Sequence, residues 1–557
     1  MEDSLRPGSQ GDEHYGEDSL SRQRQTTLVA ILLLGLLFSS IDASIISTSL
    51  VSISVDLHDF LNSPWVALSY LLAYMGTLPQ KWFAILFAKL SDIFGRKALL
   101  AAAWTLFAGF SLACGLASDM RSLIIYRAFQ GIGGSGLYSL AQIGLFEVGP
   151  SDKPSLLGAL IGMTLAISFV LGPILGGIIT RFAGWRWIFY VNVPFGITAL
   201  VGIFFAWPKG TYVARGGLYE ILRKADMVGN ILILSASSFL IYSLQEASTF
   251  NYAWHDPVIV LTLSLAAVSW ALFISWEVYL GYYRYQSIQP VFPMRLVLQR
   301  PFVAALSCSF FSGFAYLAII IILPERFQIV NGDDSLMAGI HLLPQLGACA
   351  FGSFLAGAIS SKRNNTAITL ILASSLQLIG VGLLSTLSNV LTAIEAQYGY
   401  QTIFGLGVGL SFASATILIS VRSHPEDLAV AQGAIAQARV FGGAIGIAVC
   451  MIIVNTQIQS DLTETIPPED LRALQHNPLV VQYFTIENQQ KVKTSYATAF
   501  TDDIKVMICI SAAGLIASLF AFELDPPPMP SHTMAKDTLG ARLDQSETEL
   551  DEIARYP

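Results

Sequence analysis

Two ionisable side chains stand in stretches that otherwise exclude charge. Asp42 lies inside an apolar run from about Thr27 to Leu50, and Arg127 lies inside another at about 122–146. A charge left unpaired within a membrane span costs several kcal/mol, so such residues mark a pathway or cavity, or find each other. Counted from the nearer ends of their runs, Asp42 sits about eight residues deep and Arg127 about five, a difference in depth of about 5 Å at the helical rise per residue. They can therefore meet. A neighbouring Arg favours the ionised acid and apolar burial favours the neutral one, and the two opposed effects make protonation switchable. The chemistry of the pair is reversible proton binding linked to the making and breaking of an ion pair. The competing reading is a permanent pair that fastens one helix to another.

Other chemistries find no residues to carry them. Cys114, Cys308, Cys349, Cys450 and Cys509 all lie in apolar runs, without CxxC spacing or histidine companions. They read as buried filler rather than as disulfides, ligands or nucleophiles. No nucleotide- or metal-spaced motif occurs, so the expectation is no cofactor, no metal site and no enzymatic activity. The formal net charge of -8 owes much to acidic tails, at Glu2, Asp3, Asp12, Glu13, Glu547, Glu549, Asp551 and Glu552. It does not point to a nucleic-acid partner.

The elements that must position Asp42 and Arg127 follow from composition. Of the 557 residues, 54% are hydrophobic and 13% charged, against roughly 25% charged in a soluble protein. Apolar runs of about 20 residues recur near 27–50, 64–90, 97–117, 122–146, 155–180, 186–207, 227–246, 257–280, 302–323, 336–360, 366–387, 399–421, 429–454 and 504–523. The reading is an all-α polytopic membrane protein of about fourteen spans. With the N-terminus inside, most Lys and Arg fall on the cytosolic side, which requires an even number of spans and both termini cytosolic. The acidic segment 1–26 lacks the basic region and short apolar core of a signal peptide and reads as a disordered cytosolic tail, as does 524–557. Segment 455–503 reads as a long, partly ordered outer loop. The sequon at Asn364 falls on the cytosolic side and is expected to be unmodified.

An internal repeat divides the chain. Arg127-Ala-Phe-Gln130-Gly131-Ile-Gly133 has a weak echo in Tyr400-Gln401-Thr-Ile-Phe-Gly405-Leu-Gly407-Val-Gly409. Gly172-Pro173-Ile-Leu-Gly176-Gly177 is echoed by Gly442-Gly443-Ala-Ile-Gly446, and the run Ala88 to Lys97 by Gly357 to Arg363. Two six-helix halves, 27–207 and 302–523, are thus separated by 208–301, which holds cytosolic linkers and two extra spans. Repeats of this kind accompany alternating access around a midplane site.

Two further motifs have a physical reading of their own. In Lys89-Leu-Ser-Asp92-Ile-Phe-Gly95-Arg96-Lys97, Gly95 permits a tight turn and Asp92 can pair with a helix N-terminus or a cation. Arg96 and Lys97 stay among headgroups, so the run reads as a cytoplasmic gate. In the fifth span, Pro173 removes a backbone donor while Gly172, Gly176 and Gly177 allow close helix approach, the ingredients of a bent hinge.

These runs resemble the major facilitator superfamily, and within it the fourteen-span drug:proton antiporter branch of fungi. The likeness also covers Ile41-Asp42-Ala43-Ser44, the run Trp185-Arg186-Trp187-Ile188-Phe189-Tyr190-Val191-Asn192-Val193-Pro194, Trp276-Glu277 and Leu343-Pro344. It departs at Ala88 and Ser168, where glycine is usual, at Val51, where the family places a proline, and at Thr77 to Trp82, which reads as an insertion. The resemblance implies the major facilitator fold, and a secondary transporter that lets protons in to expel small hydrophobic or amphiphilic compounds such as drugs, toxins or secondary metabolites. It makes the Gly172–Gly177 element the mark of an exporter. The alternative it leaves open is a vacuolar porter of basic amino acids or siderophores; a non-transporting receptor or scaffold is more remote. Expected partners are a small-molecule substrate, protons and the bilayer. The expected state is a monomer in the plasma membrane, with the vacuolar membrane as the alternative.

Overall fold

A computed structural model describes residues 22–76, 96–148, 154–207, 226–248, 252–284, 294–360, 363–387, 395–423 and 428–527. In these, apolar sequence forms helix because a helix satisfies every backbone polar group within its own segment, as lipid demands. The long helices are α1 (Arg22–Asp56), α2 (Pro64–Gly76), α3 (Arg96–Gly115), α4 (Met120–Val148), α5 (Pro154–Phe182), α6 (Asn192–Ala206) and α7 (Met227–Ser248). Then come α8 (Pro257–Tyr279), α9 (Arg300–Arg326), α10 (Leu343–Ile359), α11 (Thr366–Leu384), α12 (Ala396–Arg422), α13 (Leu428–Leu462) and α14 (Ile486–Leu519). No strand occurs among the described residues. Starts carry ordinary helix signals: Asp256 caps α8 by accepting from Val258 N at 2.9 Å, with Pro257 at the first helical position.

Eleven of the described helical stretches are long and apolar enough to cross a membrane. The remaining expected spans correspond to α2, described only as far as Gly76, and to α4 and α14. The fold is therefore all-helical and multi-pass, and consistent with fourteen spans.

Packing repeats between the two halves. α1 lies along α5 and α4, α2 along α4, and α3 along α4 and α6. In the second half α9 lies along α13 and α12, α10 along α12, and α11 along α12 and α14. The glycine echo occupies the equivalent place: Gly172 and Gly176 of α5 meet α1 at Ser44 and Ile45, while Gly442 and Gly446 of α13 meet α9 at Phe310 and Phe314. The extra helices α7 and α8 pack on each other, and α7 leans on α13 and α2.

Both ends of the described chain lie at one end of the bundle. Arg300, opening α9, donates to Phe522 O at 2.7 Å, whereas Gln328, past the far end of α9, donates to Thr48 O in the far half of α1 at 3.4 Å. Two sequence expectations differ from the structure. Helix α1 extends past both Thr27 and Leu50, because the polar residues Arg22–Thr26 and the segment Val51–Asp56 continue the helix beyond its apolar stretch. Segment 455–503, read as a loop, is mostly helical. α13 runs on to Leu462 and α14 begins at Ile486; between them a short helix Pro468–His476 and a 3₁₀ turn Pro478–Tyr483 fold over the bundle. Buried Leu474 and Val481 dock this cap on Ile458, Leu462 and Val492, so sparse apolar residues suffice to order it.

Candidate functional site

Asp42 and Arg127 meet in the core of the first half. Asp42 is 0% and Arg127 1% exposed. Arg127 Nη1 donates to Asp42 Oδ2 in a close ion pair. The other carboxylate oxygen, Oδ1, accepts from Gln130 Nε2 at 3.0 Å and Asn192 Nδ2 at 3.1 Å. Arg127 is held in turn, donating to Val66 O at 3.1 Å and to Gln130 Oε1 at 2.9 Å. Its guanidinium lies 4.3 Å from the centre of the Tyr70 ring and 5.6 Å from that of Phe189, favourable cation–π geometry. Ser111 Oγ closes the network, accepting from Asn192 at 2.9 Å and Gln130 at 3.2 Å. One carboxylate thus couples α1 to α4 and α6, and through Ser111 to α3.

Gln130 and Asn192 carry no role in the sequence reading. Gln130 follows Arg127 by three residues and so shares its helix face. Asn192, an amide at the head of an apolar helix, was the other available signal. Asn192→Ala removes a hydrogen bond to a charged group, a loss of about 1.5–3 kcal/mol. The expected result is a thermal midpoint in detergent lowered by a few degrees; an unchanged midpoint would remove Asn192 from the network.

The Gly172–Gly177 element forms a seam. Gly172 and Gly176 pack so closely on α1 that an added Cβ would collide with Ser44 Oγ and Ile45 O. Thr48 Oγ1 donates to Pro173 O at 3.1 Å, the carbonyl on which Gly339 of the second half also rests. Gly177 faces the second half directly, where its Cβ would stand 2.5 Å from Ser335 O. Around it, Ser52 Oγ lies 3.3 Å from Ser335 Oγ, and Arg181 pairs with Asp334 at 2.6 Å. The halves are thus closed together at the end of the bundle away from the chain termini.

The gate residues are only partly visible. Asp92 and Gly95 lie outside the described residues, as does segment 77–82, and Arg96 opens α3. Lys97 Nζ donates to Phe204 O at 2.9 Å and lies 4.7 Å from the centre of the Phe204 ring, tying the start of α3 to the end of α6. Among the described residues no group of three or more His, Cys, Asp or Glu could hold a metal ion.

The family profile described as Major Facilitator Superfamily matches residues 32–447. The chain is 36% identical over 516 residues to the MFS-type transporter FPY5 of Fusarium mangiferae, covering 91% of this chain and 85% of that protein. It is 28% identical over 531 residues to the efflux pump roqT of Penicillium rubens, covering 94% and 96%. In fold it is similar to a bacterial homologue of the human lysosomal transporter Spinster, in an inward-facing and occupied conformation. That likeness has a TM-score of 0.59 at 13% identity, covering 92% of this chain and 100% of that one. A helical bundle with a repeated packing plan among the described residues, in a chain matched by this profile over most of its length, makes the chain a member of the major facilitator superfamily and a multi-pass secondary transporter.

Proposed function

We propose that this transporter exports small hydrophobic or amphiphilic compounds in exchange for protons, with Asp42 and Arg127 as the coupling pair. The observation that carries the proposal is the ion pair itself, fully buried and held among five helices of one half. Such a pair is costly to leave broken, so a proton that neutralises Asp42 loosens the contacts of α1, the helix that also forms the seam. A proton arriving from the outer side releases Arg127; on the inner side its loss restores the pair and resets the protein. The export direction draws on the Gly172–Gly177 element at the seam and on the fungal efflux pump among the relatives. In this reading the seam closes the outer end, both termini are cytosolic, and the protein works as a monomer in the plasma membrane.

Whole-cell efflux of several dyes, with and without a proton-gradient uncoupler, tests the reading. Faster dye loss in expressing cells, abolished by the uncoupler, is expected; efflux indifferent to the uncoupler would remove proton coupling. The gate makes a separate prediction. If Asp92 and Arg96 latch the cytosolic side, Asp92→Asn leaves expression intact and greatly reduces transport. Normal transport by a well-expressed variant would sink the latch.

A further inference from the structure

Two more acids lie in the interior, and the coupling pair does not use them. Glu325 is near the end of α9 and Asp503 is midway along α14; they are 5% and 0% exposed. Helix α9 packs directly on α14, and both acids face Cys450 of α13, which brings the two carboxylates near each other. Glu325 Oε1 and both oxygens of Asp503 have no hydrogen-bond partner among the described residues. This is the opposite of Asp42, whose two oxygens are both taken.

The groups that face these acids do not compensate them. From α13, the Cys450 thiol, a weak donor, is turned to Asp503 and also faces Glu325; from α14, Tyr496 faces Glu325. Asp502 adds a like charge beside Asp503, although it pairs with Lys505 at 2.7 Å. The nearest cation in sequence, Arg326, is directed elsewhere. It donates to Leu387 O at 2.9 Å and lies 4.9 Å from the centre of the Phe500 ring. Two neighbouring carboxylates without a cation or a strong donor cannot both stay ionised in such a place, because the desolvation cost falls on each and their repulsion is added.

The space nearest the acids lies on the cap side. Between the cap and the ends of α13 and α14 lies a cavity of about 20 Å³, lined in part by Asn455, Leu474 and Tyr496. That is room for about one water molecule. Tyr496 precedes Asp503 by seven residues, two helical turns along the same face, and it also faces Glu325. Tyr496 thus both lines the cavity and faces Glu325, while neither acid lines the cavity itself.

We propose that Glu325 and Asp503 form a second proton-binding site, in the second half, loaded through the cap. In the closed arrangement both are carboxylic acids. When the cap or the helix ends part, water enters, a carboxyl O–H bond breaks with its electron pair left on the carboxylate, and the proton leaves as hydronium. The role of this site in transport rests on the proton-coupled reading above; its existence does not.

The test uses purified full-length protein in lipid nanodiscs, with the proton as the ligand. Infrared spectra of the wild type are expected to show the carbonyl stretch of protonated carboxylic acids. Part of that signal should be lost in Glu325→Gln and another part in Asp503→Asn, both near-isosteric. A hydrophobic carbodiimide, which reacts with protonated buried carboxyls, is expected to modify Glu325 or Asp503 of the unsubstituted protein, with labelling that falls as pH rises. This second arm does not depend on the variants folding. Spectra of both variants identical to the wild type, or absence of carbodiimide labelling at both positions, overturns the site. Carboxyl signals that behave as expected in a protein whose dye efflux ignores the uncoupler would instead retain the site and remove proton coupling.

Discussion

If the proposed coupling holds, Asp42→Asn is expected to abolish uphill, proton-driven efflux while some downhill exchange of substrate remains. The substitution keeps size and polarity but removes the titratable group. In the structure Asp42 receives only donors: Arg127 on one oxygen, Gln130 and Asn192 on the other. The new amide must therefore turn its NH₂ toward one of them, unless the Gln130 side chain reverses. Some loss of stability is thus expected even if the pair is a static fastener, and the effect on coupling has to be read separately from it. Three measurements do so. The thermal midpoint reports the fastener, counterflow exchange reports substrate binding and helix movement, and pH-dependent uphill efflux reports the proton. Asp42→Glu, which keeps an ionisable carboxyl at altered length, is expected to recover part of the uphill activity. Uphill efflux by Asp42→Asn with unchanged pH dependence would take Asp42 out of the coupling mechanism and leave it as a fastener.

Gly177→Val is expected to reduce transport by about tenfold to a hundredfold without unfolding the protein. The added Cβ meets Ser335 O at 2.5 Å and Leu336 Cα at 2.9 Å. These are backbone atoms that cannot rotate away, and overpacking of this kind costs about 1–3 kcal/mol. The cost falls only on the arrangement in which the halves touch at this end, since the contacts of Gly177 are across the seam rather than within its own half. A cycle that must visit that arrangement is slowed, while each half keeps its own packing. A disulfide between Ser52→Cys and Ser335→Cys, whose native hydroxyls lie 3.3 Å apart, reads the closed population directly. A Cys509→Ser background removes the exposed native thiol. The disulfide is expected to form readily when Gly177 is retained and poorly when it is combined with Gly177→Val. Normal transport and normal cross-linking in Gly177→Val would mean that the seam tolerates the extra bulk and is not a close contact of the working cycle.

By itself the sequence determined the class of solvent, the placing of the helices and the identity of the charged residues that lipid would not tolerate alone. These are local properties. Hydropathy is summed over one segment, and a lone Asp or Arg in an apolar run is conspicuous whatever lies beside it. The repeat was legible for the same reason, through glycines at matching places in α5 and α13. Depth along a helix was less so. Counting from Leu50 misjudged how far α1 projects, because helix length follows apolarity only until a polar end continues the same hydrogen bonding. The cap was missed because a few apolar side chains, Leu474 and Val481 among them, order a polar segment only when another surface is there to receive them.

What the tertiary structure alone decided is which polar groups face one another. Gln130 and Asn192 are 62 residues apart and read as unrelated amides, yet they converge on one oxygen of Asp42. Glu325 and Asp503, on helices far apart in the chain, come together with no cation between them among the described residues. Helix rotation and tilt are set by the packing of neighbouring surfaces, which no single segment encodes. A charge is therefore visible in the sequence as a cost, and only the packed bundle shows whether it is met by a partner or by a proton.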